Sequence, residues 1–104
     1  MAHRLIVTRR AEREAGEAYE WYEEQLPGLG SDFLAALDGQ LALIEESPLL
    51  YPEVFPGLRR AFLTHFPYGV FFASKGEITS ILAVIHTSRS PRRWPRRKPV
   101  RPTE

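Results

Sequence analysis

Residues 78–86 read ITSILAVIH, and their second half, Ile81 to Ile85, is apolar without a break. Five consecutive apolar residues put hydrophobic side chains on both sides of an extended chain, which predicts a central strand covered on two faces. The run is far shorter than the roughly 20 residues that a membrane-spanning helix needs. TSRSPRRW follows at 87–94, and Pro91 cannot donate to a strand ladder. The strand must therefore end before Pro91, which leaves a cluster of arginines at the rim of the sheet.

Working upstream, Leu58–Leu63 and Tyr68–Ser74 are two further strand candidates. Their connections, THFP and SKGE, are short enough for hairpins, and Gly76 can supply a positive φ at the second. In the N-terminal half, residues 3–7 read as a short strand and Thr8 as the cap of a helix running from Arg9 to about Leu26. Ala11, Ala15, Ala18, Tyr22 and Leu26 form its apolar stripe at spacings of three and four. LPGLGS breaks the helix, because Pro27 disfavours helical geometry at Leu26 and two glycines permit a tight turn. A second helix is predicted from Ser31, read as its N-cap, through Phe33, Leu34, Leu37, Leu41 and Ile44 to Glu46. So short a connection makes the two helices an antiparallel hairpin. SPLLYPEVFPG, 47–57, carries three prolines and reads as an extended loop.

The order strand-helix-helix-strand-strand-strand predicts an α+β fold. Its simplest form is a two-layer sandwich, with the α-hairpin on one face of a mainly antiparallel four-stranded sheet. With 104 residues there is room for one domain, expected over 1–94, and for a basic, proline-rich tail over 95–104 that is expected to be disordered.

A net charge of +1 conceals a strong segregation. Residues 11–53 hold eleven acids against one base, Arg13, whereas residues 54–104 hold ten bases against Glu77 and Glu104. Such a chain can offer a basic surface to phosphates or to an acidic partner while staying near neutral overall. The N-terminus shows only Leu5-Ile6-Val7 as an apolar core, too short for a secretory signal, and there is no cysteine. A cytoplasmic chain without disulfides and without membrane association is the expectation. His3, His65 and His86 lack the spacing of a metal site, and PGLGS follows a helix rather than a strand, so neither a metal nor a nucleotide cofactor is expected.

AYEWYEEQLPGLGSDFLAAL at 18–37, SPLLYPEV at 47–54, LRRAFLTHFPYGVFF at 58–72 and ILAVIHTSRSPRRW at 81–94 stand in this order along nearly the whole chain. Together they resemble the RelE/ParE family of toxins from bacterial type II toxin–antitoxin systems. The resemblance implies a growth-inhibiting toxin neutralised by a cognate antitoxin protein. Its target would be DNA gyrase, inhibited by binding, or mRNA, cut on the ribosome; a non-toxic remnant that binds only its antitoxin is the third possibility. The closing VIHTSR is more similar to the ParE-type branch. The ribonuclease branch relies on lysines on the sheet and often a late tyrosine, whereas here the lysines are Lys75 and Lys98 and no tyrosine follows Tyr68.

If the chain is a ribonuclease, its candidate catalytic residues are His86 for proton transfer, with Arg60 or Arg59 and Arg89 to clamp phosphate. Strand alternation sends Arg59 and Arg60 to opposite faces, so only one of them can share a face with any given partner. The alternative is that His86 caps the strand end and an arginine pairs with an acidic helix. For docking to a target or antitoxin, the candidates are Arg89, Arg92, Arg93 and Trp94, with Arg96, Arg97, Lys98 and Arg101 beyond them. Trp94 is either a stacking platform or an anchor folded back on the core. Glu23-Glu24 and Glu45-Glu46 read as charged helix face, Tyr22 as core, and Tyr19 and Trp21 as cover for the loop around Tyr51 or as a partner surface.

Overall fold

The computed structural model describes residues 4–95; His3 and residues 96–104, with the basic residues of the expected tail, lie outside the described part. The chain forms β1 (Arg4–Val7), α1 (Arg9–Gln25), α2 (Leu29–Glu46), β2 (Glu53–Phe55), β3 (Leu58–Phe62), β4 (Tyr68–Lys75) and β5 (Ile78–His86). Single 3-10 turns stand at Pro48–Leu50 and Pro91–Arg93. The strands make one sheet in the order β1-β5-β4-β3-β2, antiparallel except for the β1–β5 pair. The α-hairpin packs on one face, giving the expected α+β sandwich.

The sheet has five strands rather than four. The additional one, β2, lies inside the proline-rich segment read as a loop, with Glu53 opposite Arg59 and Phe55 opposite Leu58. Prolines flank it at 52 and 56 and its register is irregular, which a strand tolerates only at the edge of a sheet.

Thr8 caps α1 as expected, accepting from the Ala11 amide at 3.2 Å. The start of α2 differs from the reading that put its N-cap at Ser31. The helix begins at Leu29 behind Gly28, whose φ of 93° suits glycine. Its first amides are capped from across the hairpin: Glu23 accepts from the amides of Gly28 and Gly30, each at 2.9 Å. Glu23 thus fastens the two helices together instead of belonging to a solvated face. Gly30 permits the approach, since a Cβ there would stand 2.7 Å from the Tyr19 carbonyl oxygen.

Between hairpin and sheet lies the main core, built on Phe33, Ile44, Val70, Phe72 and Ile81, with Ala11 and Ala18 letting α1 approach closely. Tyr22 is buried with them, as its place on the stripe predicts. A smaller cluster of Leu58, Phe71, Ala83 and Ile85 occupies the opposite face, covered by Val54 and Trp94. β5 is therefore buried on both sides. Helices cover one side and the chain after the strand covers the other.

β5 is not a regular strand. Phe72 faces Ile81 and Phe71 faces Ala83, so Leu82 is an extra residue, a β-bulge. The bulge switches the alternation. Thr79 and Ile81 point toward the helices before it, and Val84 and His86 do so after it, as their partners Val70 and Tyr68 require. β1 pairs with β5 only as far as Ile81, so the outer edge of residues 82–86 has no strand beside it.

Candidate functional site

α1 takes the place of a strand along this open edge. The Thr8 hydroxyl donates to the carbonyl of Ile81 at 2.9 Å, and the Glu14 carboxylate accepts from the Val84 amide at 2.9 Å. The second Glu14 oxygen receives Arg10 Nε at 3.1 Å, one turn earlier on the helix. Arg10 also donates to the Arg93 carbonyl and so ties the chain beyond β5 to the start of α1. Glu14→Ala is expected to cost about 1–3 kcal/mol, because it strands the Val84 amide and releases Arg10. Urea denaturation measures this, and an unchanged midpoint would show that the edge needs no acceptor.

These contacts bound a groove of about 400 Å³. Its walls are α1, through Arg13, Glu17 and Trp21, and the strand end, through Tyr68, His86 and Arg89. Trp21 is 54% exposed and rests edge-on against Tyr22, so it offers surface toward the groove and does not cover Tyr51. Tyr51 sits elsewhere, against Phe72 and the Gln40 amide. Burial raises the Tyr22 and Tyr68 hydroxyls above the usual phenol value. At Tyr68 the neighbouring Tyr22 adds to the effect and Arg89 opposes it.

The four residues that would have to act together in cleavage are only partly brought together: Arg60, His86 and Arg89 border one cavity, and Arg59 stands apart from it. His86 lies edge-on to Tyr68 on the helix side of the sheet, with ring centroids 5.2 Å apart. Its Nδ1 accepts from the Ser88 amide at 3.0 Å, with the Ser88 hydroxyl 2.8 Å away, so the ring orders the turn that follows the strand. Arg59 shares that side but stands opposite Phe72, which in turn faces Ile81, five residues back from His86 along β5. It donates to the Tyr51 carbonyl and pairs with Glu53 at 3.7 Å. Arg60 is on the other side, opposite Phe71. His86, at the strand end, and Arg89, in the exposed turn, border the cavities on both sides.

The docking candidates divide likewise. Arg92 and Arg93 are exposed on the 3-10 turn, whose first amides are met by the Ser90 hydroxyl and carbonyl. Trp94 is half-buried and packs on Phe71 with ring centroids 5.2 Å apart, which makes it an anchor. Reading the sequence missed Arg10, Arg13 and Glu14. For Arg10 and Glu14 the signal was present: Arg10, Glu14 and Glu17 recur at helical spacing beside the alanine stripe and mark a second, charged stripe that ends at Trp21.

Among the described residues no group of three or more histidines, aspartates or glutamates is placed to hold a metal, and no helix is long and apolar enough to cross a membrane.

Residues 5–91 match the family model of the ParE toxin of type II toxin–antitoxin systems. The chain belongs to the ParE toxin family. No curated protein matches its sequence. A solved structure described as the chromosomal ParDE toxin–antitoxin system from P. aeruginosa has the same fold, with a TM-score of 0.75 at 21% identity. The match covers 83% of this chain and 97% of the other. The ParE family fold thus accounts for the segment from the first strand to the turn at Pro91.

Proposed function

We propose that this ParE-family chain is a growth-inhibiting toxin, held inactive by a cognate antitoxin protein, that acts on DNA gyrase by docking rather than by chemistry of its own. Family membership supports the toxin role. The antitoxin is carried over from the ParDE system of similar fold. The observation that favours docking is a continuous groove bordered by Arg10, Arg13, Arg89 and Arg93, with Arg60 on the opposite sheet face from Arg59 and the His86 ring. General acid–base chemistry needs groups that converge on one proton path. A docking surface needs only an exposed, complementary rim.

Purified protein is expected to inhibit gyrase supercoiling. The double variant Arg89→Ala, Arg93→Ala should inhibit about tenfold less, equivalent to about 1.4 kcal/mol of lost affinity, with an unchanged melting temperature. Ribosome-dependent mRNA cleavage with supercoiling untouched would overturn the reading, and normal growth on induction without an antitoxin would point to a non-toxic remnant.

A further inference from the structure

The sheet face turned away from the helices holds a cation whose environment neither the groove nor the core explains. The stem of Arg60 lies over Gly69, where an added Cβ would come within 3.3 Å of Arg60 Cδ. Its guanidinium carbon stands 4.5 Å from the centre of the Phe62 ring and 5.3 Å from that of Trp94. Nε is buried and donates to no protein group. The two ion pairs among the described residues, Arg10–Glu14 and Arg59–Glu53, leave Arg60 without a carboxylate. Beside it opens a cavity of about 250 Å³, bordered also by His86, Thr87 and Arg89. Phe62 is 55% exposed although it is a large aromatic residue on a sheet.

A guanidinium held between rings keeps its donors in one plane, and that planar fork matches two oxygens of a phosphate. Desolvation by the rings strengthens such a bond and makes the cation costly without a counter-charge. An exposed phenylalanine next to it offers a face to a nucleobase, and stacking on aromatic rings tolerates any base. We infer that Arg60, with Arg89 across the cavity, binds a phosphate that carries a nucleobase, the base stacking on Phe62, in a free nucleotide or in a single nucleic-acid strand. This site is separate from the α1 groove and stands or falls independently of the action on gyrase.

The chain has two tryptophans, so Trp21→Phe leaves Trp94, next to Arg60, as the sole reporter. Full-length Trp21→Phe protein would be titrated with a mononucleotide and, separately, with a short single-stranded oligonucleotide. Saturable quenching of Trp94 is expected, weakened by salt. Arg60→Gln in the same background should bind at least tenfold more weakly, and Arg60→Lys should not rescue, because it lacks the fork. Quenching by the mononucleotide at comparable affinity would identify the free nucleotide as sufficient; quenching by the oligonucleotide alone would assign the site to single strands. If Arg60→Gln fails to fold, the exposed Phe62→Ala carries the test, with a several-fold loss expected. Undiminished binding in either folded variant, or equal quenching by polyglutamate, would overturn the proposal.

Discussion

Replacing Phe33 with alanine is expected to cost about 3–5 kcal/mol and to lower the melting temperature by about 12 °C or more. Phe33 is fully buried and stands at the centre of an aromatic set. Its ring stacks on Tyr22 at 5.5 Å and meets Phe66 and Tyr68 edge-on at 5.5 and 5.2 Å. These three partners come from α1, the turn before β4, and β4 itself, so the cavity would open where hairpin and sheet join. A domain of this size commonly has about 5–15 kcal/mol in total, so much of the population would unfold on modest warming. Thermal and urea denaturation measure the effect; a loss below about 1 kcal/mol would mean that the rings repack around the gap.

Leu58→Ala is expected to cost about 2–5 kcal/mol, with a different local signature. Leu58 is 1% exposed and belongs to the smaller cluster, with Phe71, Ala83 and Ile85, on which Trp94 packs. Removing it loosens the floor beneath that tryptophan while leaving the hairpin face intact. With Trp21 replaced by phenylalanine, the Trp94 emission should shift toward that of a solvated indole under conditions where the helical circular dichroism is unchanged. Emission and ellipticity lost together would show instead that the two faces unfold as one unit.

The fold was largely legible because periodicity reports burial directly. The alanine stripe at 11, 15 and 18, the apolar positions 33, 37 and 44, and the unbroken run Ile81–Ile85 mark surfaces that have to be covered. β2 was not legible, since three prolines speak against a strand and only the edge position excuses them. The cap of α2 escaped for a different reason. Ser31 satisfies the local rule for an N-cap, whereas the acceptor that does the capping, Glu23, lies on the preceding helix and is brought there by the tertiary turn.

The candidate site was legible in its residue types but not in its geometry. Strict alternation forecast the separation of Arg59 from Arg60 correctly, because β3 is regular from Arg59 to Phe62. It cannot place His86 relative to Arg60, since the count of residues along β5 contains Leu82, and nothing in a run of five apolar residues marks which of them is unpaired. The partner of the open edge was equally hidden. Arg10 and Glu14 look like an ordinary i,i+4 surface pair until the Val84 amide is seen at the carboxylate.

Leu82 acts as a phase shift in the strand. With it, the last stretch of β5 delivers the imidazole to the helix side, beside Tyr68. Were Leu82 paired as a regular strand residue, the same amino acids in the same order would carry the imidazole to the side of the ring-held guanidinium and would take Val84 out of the core. Deleting the unpaired residue would leave every other residue on its present face, whereas drawing it into the ladder would exchange the faces of all that follow.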